Sequence, residues 1–300
     1  MSALNKKTKS IVYVNKSVAI FHCPLCASSM QIVDNASLRC AHHHTFDFAK
    51  QGYINLLTHP LKTKYDKKLF ASRRKLIVES GLFAPLTQTI AELIINNKNQ
   101  GQVITHMLDA GCGEGSHLTT ICDQVCSHLK RPIVGVGIDI AKEGIAIAAQ
   151  NYANKIWCVA DLAHAPFKEK QFDVLLTILS PSNYAECQRL LRDDGMIVKV
   201  VPQSGYLTEL RNAFFAEPKK QSYSNTATVE RFYDNFEVLE TRRLYYGVTL
   251  DNVMIASLLD MTPLTWTAPE EKIQAFLEKD TAQITIDVDI LIARKISDIV

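Results

Sequence analysis

The feature that most constrains the fold of this chain is an apolar run that ends in a carboxylate and continues into closely spaced glycines. Residues 103–108 read as a β-strand, and Asp109 follows them. The glycines after it are Gly111, Gly113 and Gly115. Glycine lets the backbone turn sharply and lets a ligand approach the start of the next helix. The pattern predicts a strand, a ligand-binding turn and a helix over residues 116–129.

Three more strands are predicted, and a polar residue or turn lies at the end of each one. The strand over residues 133–140 has Asp139 near its end, residues 156–160 are followed by Asp161, and residues 172–179 precede the segment 180–184. In an open parallel sheet, ligands bind beyond the carboxyl ends of the strands. The order of elements predicts an α/β, Rossmann-like, doubly wound and mostly parallel sheet.

The carboxylate before the glycines helps to distinguish between two classes of cofactor, dinucleotides and S-adenosylmethionine. Dinucleotide-binding turns have the spacing GxGxxG, and a carboxylate at position 109 would repel a pyrophosphate. The same carboxylate suits the ammonium and sulfonium groups of S-adenosylmethionine (SAM). Late β segments at 236–246 and 283–293, separated by helices near 250–261 and 270–279, fit the usual end of a SAM-dependent methyltransferase fold with a reversed edge strand. SAM is therefore favoured over NAD.

A CxxC pair followed by CxxxH predicts a zinc site near the N-terminus. The thiols are Cys23, Cys26 and Cys40, and the fourth ligand is His42, His43 or His44, with the spacing favouring His44. Zinc takes four tetrahedral sulfur or nitrogen ligands, and a closed site of this kind is structural. Short strands at 30–33 and 37–38, joined by a turn at 34–35, would form a β-hairpin module around the metal. A chance match of the pattern is the alternative.

The small overall charge of +2 conceals an uneven distribution. Residues 1–80 carry 13 Lys and Arg against 4 Asp and Glu, whereas the remainder has 20 basic and 27 acidic residues. A basic module on an acidic body suggests that the N-terminal part faces a polyanion; solubilising lysines are the alternative. The densest basic run, residues 62–75, is interpreted either as a phosphate contact or as a solvated linker, with a helix over 67–78.

The organisation that follows has three parts. Residues 1–58 are predicted to form a zinc-binding module, which the family resemblance given below implies is an RNA-recognition module, 59–80 a basic linker and helix, and 81–300 the methyltransferase domain. The chain contains no apolar window long enough for a transmembrane helix and no apolar segment of signal-peptide type near its N-terminus. We therefore expect no membrane partner and a cytoplasmic location.

Four further sequence segments, spread over almost the whole chain, carry a resemblance to a known family together with the zinc pattern. They are FDFAKQGYINLL (46–57), LDAGCGEG (108–115), SPSNY (180–184) and MTPLTW (261–266). With the Cys/His pattern, the chain resembles the bacterial 23S rRNA (guanine-N1)-methyltransferases of the RlmA family, and it is more similar to the Gram-positive branch, some members of which are associated with macrolide resistance. The resemblance implies methyl transfer from SAM to N1 of a guanine in a hairpin loop of 23S rRNA. It also implies a structural Zn²⁺ on Cys23, Cys26, Cys40 and His44, and a homodimer.

The resemblance also implies a set of cofactor contacts. Phe83, His117, Leu118 and Tyr206 match positions that meet the cofactor in the family, although relatives often have Tyr where Phe83 stands and His where Tyr206 stands. Core packing is the alternative for these two residues. Asp139 is expected to bind the ribose, and Asp161 the adenine amino group. Asp109, Gly111, Gly113 and Gly115 complete the predicted cofactor site.

The segment after the fourth predicted strand is expected to receive the target base. Tyr184 could stack on guanine, Asn183 could contact its edge, and the carbonyls of the turn around Pro181 could receive the proton of N1. An ordinary proline-containing turn is the alternative. No residue of the sequence is singled out as the general base.

Two other classes of function remain as alternatives. A small-molecule SAM methyltransferase would have no clear use for a basic zinc module. A non-catalytic SAM- or RNA-binding regulator is disfavoured because Asp109, Gly111, Gly113 and Asp139 are all intact.

Overall fold

The computed structural model describes residues 5–61, 63–215 and 224–296, which form a small and a large β-sheet with helices around them. The strands are β1 (Met30–Val33), β2 (Ser37–Cys40), β3 (Thr45–Asp47), β4 (Ile54–Asn55), β5 (His106–Ala110), β6 (Val134–Asp139), β7 (Ile156–Val159), β8 (Phe172–Ile178), β9 (Leu191–Pro202), β10 (Phe236–Asp251) and β11 (Thr281–Lys295). The helices are α1 (Lys6–Asn15), α2 (Lys67–Glu79), α3 (Ala84–Asn97), α4 (Ser116–Leu129), α5 (Lys142–Asn151), α6 (Tyr184–Leu190), α7 (Thr208–Phe214), α8 (Thr226–Tyr233), α9 (Asn252–Met261) and α10 (Glu270–Leu277).

The large sheet has the order β10-β11-β9-β8-β5-β6-β7-β4. Its pairs from β9 to β4 are parallel, and β11 runs antiparallel to both of its neighbours. The predicted doubly wound, mostly parallel sheet of a SAM-dependent methyltransferase is confirmed. The reversed strand, β11, is not at the edge of the sheet, because β10 pairs with its outer side. β11 is buried on both faces along residues 284–288. In the edge strand β10, exposed and half-buried residues alternate.

The N-terminal segment packs directly on the methyltransferase sheet. Ile11 of α1 and Phe21 belong to the same hydrophobic cluster as Phe167 and Phe172 of the body. β4 extends the large sheet beside β7, with Ile54 paired to Cys158. The sequence did not indicate this strand, because two residues are too short a run for an alternating pattern to show. The predicted division of the chain at residues 58 and 80 stays a prediction.

The predicted hairpin of the zinc module forms with β1 and β2 paired antiparallel and β3 added beside β2. Asp34 and Asn35 occupy its turn with φ values of 53° and 47°. Two consecutive residues at positive φ are typical of the tight hairpin turn that matches the twist of the strands, and Asp and Asn tolerate this conformation.

Within the predicted basic linker, α2 is a packed helix. It begins after Asp66, whose carboxylate accepts a hydrogen bond from the backbone N–H of Leu69 at 2.8 Å. Leu69, Phe70 and Leu76 are buried, and the helix packs against α9 and α5. Lys62, the first residue of the basic run, lies outside the described residues. Among the helices that the structure describes, none is long and apolar enough to cross a membrane.

Candidate cofactor and substrate site

A cavity of about 820 Å³ opens at the carboxyl ends of β5, β6, β8 and β9, where the sequence predicted ligand binding. The predicted site residues that line it are Phe83, Gly111, Gly113, His117, Asp139, Pro181, Tyr184 and Tyr206. The structure therefore brings the predicted cofactor-binding turn and the predicted substrate segment to one cavity.

The glycine turn is shaped by close neighbours as well as by positive φ. Gly111 has φ 88°, and a Cβ there would lie 2.7 Å from Cβ of Ser180. Gly115 has φ 85°, and a Cβ there would lie 2.5 Å from the ring of Trp157. Both contacts are shorter than real Cβ atoms make, so a side chain at either position would push the turn away from the sheet. Gly115 packs against Trp157 and does not line the cavity.

Asp139 ends β6 at the cavity wall and holds the glycine turn. Its carboxylate accepts one hydrogen bond from the backbone N–H of Gly113 and one from that of Ala141, both at 2.8 Å. Burial raises the pKa of the Asp139 carboxyl group, and these backbone hydrogen bonds oppose the rise. The side chain is thus fixed beside the turn, in the position expected for a ribose ligand.

Asp109 and His117 carry buried polar atoms without a partner among the described residues. Oδ1 of Asp109 and Nδ1 of His117 are both of this kind. Burial raises the pKa of Asp109 to about 7 and lowers the pKa of His117 to about 3. Unpartnered buried polar groups cost free energy, so a ligand that supplies hydrogen bonds or charge there would be stabilised. His117 lines the cavity, so its unpartnered nitrogen fits a ligand that supplies a hydrogen bond, whereas Asp109 is only 2% exposed and does not line the cavity.

Besides Gly115, four predicted site residues lie off the cavity wall. Asp109 lies beneath the glycine turn, and Leu118 is fully buried in the core. Asp161 accepts a hydrogen bond from the backbone N–H of Ala163 at 2.9 Å. Asn183 caps α6 by accepting one from the backbone N–H of Glu186 at 3.2 Å. Asp and Asn side chains readily bond to nearby backbone, so their position in the sequence did not reveal where they point.

Tyr184 forms a rigid aromatic part of the wall. Its ring meets Phe232 edge-on at 5.8 Å and Phe236 edge-on at 5.7 Å, and the Arg231 guanidinium lies 5.6 Å from its centroid.

On the cofactor side, Phe83 meets His117 edge-on at 5.4 Å. Burial raises the pKa of Tyr206 to about 12, which keeps its hydroxyl protonated and able to donate a hydrogen bond.

Several lining residues were missed by sequence reasoning. α2 and the residues just before it supply Tyr65, Leu69, Phe70 and Arg73; β9 supplies Lys199; α8 supplies Arg231. Met261, Thr262 and Pro263, from the motif at 261–266, also line the cavity. The helix over 67–78 was predicted, but its place on the cavity wall was not; the signal for that place is the apolar pair at 69–70 with Arg73 one turn later on the same face.

The zinc motif assembles into one compact cluster. The ligand atoms of Cys23, Cys26, Cys40 and His44 all lie within 4.8 Å of one another. Nδ1 of His44 is 3.4 Å from Sγ of Cys23 and 3.5 Å from Sγ of Cys40, while Sγ of Cys26 and Sγ of Cys40 are 3.7 Å apart. Tetrahedral Zn²⁺ with ordinary bond lengths places its ligands about 3.5–3.8 Å apart. The donor set therefore fits Zn²⁺.

Of the three candidate histidines, the structure brings His44 into this cluster. His42 and His43 are exposed, although Nδ1 of His42 lies 3.3 Å from Sγ of Cys26. Hydrogen bonds to Ser28 lower the pKa of the Cys26 thiol to about 5, which favours the thiolate that metal binding requires. A site with four protein ligands leaves no open position, so its role is structural.

The sheet order, the glycine turn and the Cys3His cluster together define a SAM-dependent methyltransferase with an N-terminal zinc ribbon. Two domain families match accordingly: "RlmA, N-terminal" over residues 21–67 and "Methyltransferase domain" over residues 103–242. The chain belongs to the RlmA-type family of 23S rRNA (guanine-N1)-methyltransferases.

Two relatives of known sequence match along almost their whole length. The Bacillus subtilis protein YxjB, provisionally described as a 23S rRNA (guanine-N1)-methyltransferase, is 48% identical over 278 residues, which is 92% of this chain and 98% of that protein. The 23S rRNA (guanine(748)-N(1))-methyltransferase of Streptomyces fradiae is 28% identical over 280 residues, covering 92% of this chain and 97% of that protein.

Proposed function

We propose that this protein transfers a methyl group from SAM to N1 of a guanine in a hairpin loop of 23S rRNA. The observation that carries the proposal is that one cavity joins the glycine turn and Asp139 on one side to the Tyr184 wall on the other. Methyl transfer from a sulfonium requires both reactants to be held in line at near-attack distance, and a shared cavity supplies that arrangement. The family of the chain supports the choice of substrate.

On the cofactor side, this chain's residues would act by binding and orienting. Asp139 would accept hydrogen bonds from ribose hydroxyls, and the backbone of the turn at Gly111 and Gly113 allows close approach. Arg73, whose Nε has no partner among the described residues, would hold a carboxylate. His117, kept neutral by burial, would add a hydrogen-bonding nitrogen. SAM, when bound there, supplies an electrophilic methyl group.

On the substrate side, Tyr184 would stack on the guanine and Pro181 would shape the turn beside it. Because Phe232 and Phe236 fix the Tyr184 ring, stacking would cost little side-chain entropy. RNA-binding proteins commonly hold splayed-out loop bases in this way. Asn183 contributes as the cap that fixes the start of α6.

Several features of the proposal concern the surroundings of the site. Zn²⁺ would be held by Cys23, Cys26, Cys40 and His44. It would stabilise the fold of the basic N-terminal module, which would bind 23S rRNA. The cytoplasm is the compartment in which such a substrate is available. A homodimer, the division of the chain at 58 and 80, and a link to macrolide resistance stay predictions; light scattering on the purified protein tests the first of them.

The test incubates the protein with labelled SAM and either a 23S hairpin transcript or a pool of small metabolites. The proposal expects label on the RNA, with one guanine that stops reverse transcriptase because N1 can no longer pair. Label on metabolites alone would favour a small-molecule enzyme. Measurable SAM binding without label on either substrate would favour a non-catalytic protein.

A further inference from the structure

The cavity contains a buried lysine that neither the zinc site nor the cofactor site accounts for. Lys199 lies on β9 opposite Thr177 of β8, and its side chain lines the cavity while only 3% of the residue is exposed. Nζ donates a hydrogen bond to Oγ of Ser182 at 2.8 Å and lies 3.4 Å from the Ser180 carbonyl oxygen. It also lies 5.9 Å from the centroid of the Tyr184 ring. The amine is therefore in the part of the cavity proposed to receive guanine.

The surroundings of Lys199 differ from those of an ordinary buried lysine. Lys155, which is also buried, pairs with Asp123 at 3.1 Å. Lys199 has no such ion pair with any carboxylate of residues 5–61, 63–215 and 224–296. Burying a charge without a counterion is costly, so a purely structural role would not retain an amine here.

The Ser182 hydroxyl suits an amine that gains and loses a proton. A hydroxyl can accept a hydrogen bond from an ammonium group, and it can also donate one to the lone pair of a neutral amine. The contact with Ser182 can therefore persist in both protonation states of Lys199. The Ser180 carbonyl, which can only accept, would restrain the orientation of Nζ.

The other titratable groups on the cavity wall are poorly suited to take a proton from guanine. The guanidinium groups of Arg73 and Arg231 carry hydrogen-bond donors only and have no acceptor site. Tyr65 is 41% exposed and therefore lies at the open side of the cavity. Burial raises the pKa values of Tyr184 and Tyr206, so their hydroxyl groups keep their protons and cannot accept another. The carboxylate of Asp139 already accepts hydrogen bonds from two backbone N–H groups. Burial lowers the pKa of His117, which makes its imidazole a very weak base.

We propose that Lys199 is the general base of the reaction, accepting the N1 proton of the guanine that stacks on Tyr184. This inference rests on the proposed function. In the step, the N1 lone pair forms the bond to the methyl carbon, and the electron pair of the broken C–S bond stays on sulfur. The N1–H bond gives its electrons to N1, its proton passes to the neutral amine of Lys199, and the ammonium then releases it to water.

The protonation of Lys199 is compatible with this role at neutral pH. Burial lowers the pKa of its ammonium group to about 8, near the range in which a general base works best. The groups that face it are the Ser180 carbonyl and Ser182 from the turn after β8, Tyr184 and Cys187 from α6, and Arg231 from α8, whose guanidinium lies 5.6 Å from the centroid of the Tyr184 ring. Burial raises the pKa of Cys187 to about 12, so its thiol is uncharged at neutral pH.

The first experiment measures single-turnover methylation of the hairpin transcript against pH for the unaltered protein, K199M and K199R. The unaltered protein should show a rate that rises with pH and levels off near pH 8. Both variants should be slower by about 100-fold or more, the usual contribution of a general base, and their rates should keep rising above pH 8. K155M, at the carboxylate-paired lysine outside the cavity, is the matched control and should behave as the unaltered protein.

Equilibrium SAM binding and thermal melting of each variant separate chemistry from folding. Both should stay close to those of the unaltered protein. A K199R rate within tenfold of the unaltered protein would overturn the proposal, because arginine keeps the charge and cannot accept a proton. A plateau near pH 8 retained by K199M would overturn it as well. If the unaltered protein itself methylates no RNA, the proposed function fails instead.

A second experiment adds small amines to K199A, which keeps the test valid if the longer variants pack badly. Ethylamine should restore methylation in proportion to its free-base concentration, because the shortened side chain leaves room beside Ser182. Guanidinium carries the same charge but offers no base, and it should not restore the rate. Equal rescue by the two additives, or rescue by neither, counts against a proton-accepting role for Lys199.

Discussion

The zinc site and the cofactor cavity are both built for ligands, but they differ in how much of the chain each one needs. All four clustered zinc-type ligands fall between Cys23 and His44, within one hairpin module. The cavity wall draws on residues from Tyr65 to Pro263, and on helices as well as strand ends. A local site can be deduced from residue spacing, whereas a distributed site exists only when the sheet has assembled.

The largest expected effect separates the two sites by removing a zinc ligand. C23S should lose zinc, because a three-ligand site lacks the closed tetrahedral set and structural zinc contributes folding free energy directly. We expect methylation of the hairpin transcript to fall about 100-fold or more, while SAM affinity changes less than threefold. Metal content, methylation rate and calorimetric SAM binding measure the three quantities.

The control for this change is C158S, at a buried cysteine on β7 outside the cluster, which should keep its zinc. Cys23 shares a hydrophobic cluster with residues of the body, which makes SAM affinity the decisive measurement for C23S. An equal loss of SAM binding in C23S would show that the two regions do not work separately.

A smaller effect is expected at the cofactor side, from the helix that sequence reasoning placed in a linker. R73M should weaken SAM binding about tenfold or more, because a charge-assisted hydrogen bond to a carboxylate contributes roughly 1.5–3 kcal/mol. Zinc content should not change. R74M removes the neighbouring guanidinium, which lies 5.7 Å from the Tyr152 ring, and serves as the matched control. Equal SAM affinities for the two variants would contradict the assignment of Arg73.

The two sites should respond to pH in opposite directions. Burial raises the pKa of Asp109 from 3.8 to about 7, so the folded state binds more protons there than the unfolded state, and stability falls as pH rises through that window. Zinc binding strengthens over the same range, because its thiol ligands must lose protons.

D109N measures the first of these responses without SAM. Asn resembles the protonated carboxyl group, so the melting temperatures of D109N and the unaltered protein should agree near pH 4. At pH 8 D109N should melt several degrees higher, since each kcal/mol moves the Tm of a chain of this size by roughly 2–4 °C. Zinc release to a chelator should follow the same pH curve in both proteins. A Tm difference that does not change with pH would contradict the buried, raised pKa.

The smallest expected effect concerns the ion pair between α2 and the body. Nζ of Lys68 lies 2.8 Å from the carboxylate of Asp260, but its side chain is 75% exposed. Exposed ion pairs contribute about 0–1 kcal/mol, so K68M should lower the free energy of unfolding by less than about 1 kcal/mol. Denaturant titration against K67M, at the preceding exposed lysine, checks this. A larger loss for K68M would mean that charge, and not the packing of Leu69 and Phe70, holds α2 on the body.

Sequence patterns predicted those parts of the molecule whose causes are local. The strand before Asp109, the helix Ser116–Leu129, the hairpin turn at 34–35 and the Cys/His cluster follow from short-range periodicity, backbone preference or ligand spacing. Patterns were less informative where one side chain had several nearby partners. Asp161 and Asn183 bond to backbone N–H groups within three residues of themselves, and no spacing rule distinguishes that choice from a ligand contact.

By itself the sequence determined the class of fold, the type of cofactor and the three thiols of the zinc site, because glycine conformations and ligand chemistry belong to individual residues, whereas the structure singled out His44 as the fourth ligand. Only the tertiary structure decided that β4 extends the large sheet, that α2 lines the cofactor cavity with Arg73, and that Lys199 is buried beside Tyr184 with no carboxylate partner in the described part of the chain. These depend on which distant segments meet when the sheet forms. Burial and its effect on charge arise from that meeting, and no short stretch of the chain contains them.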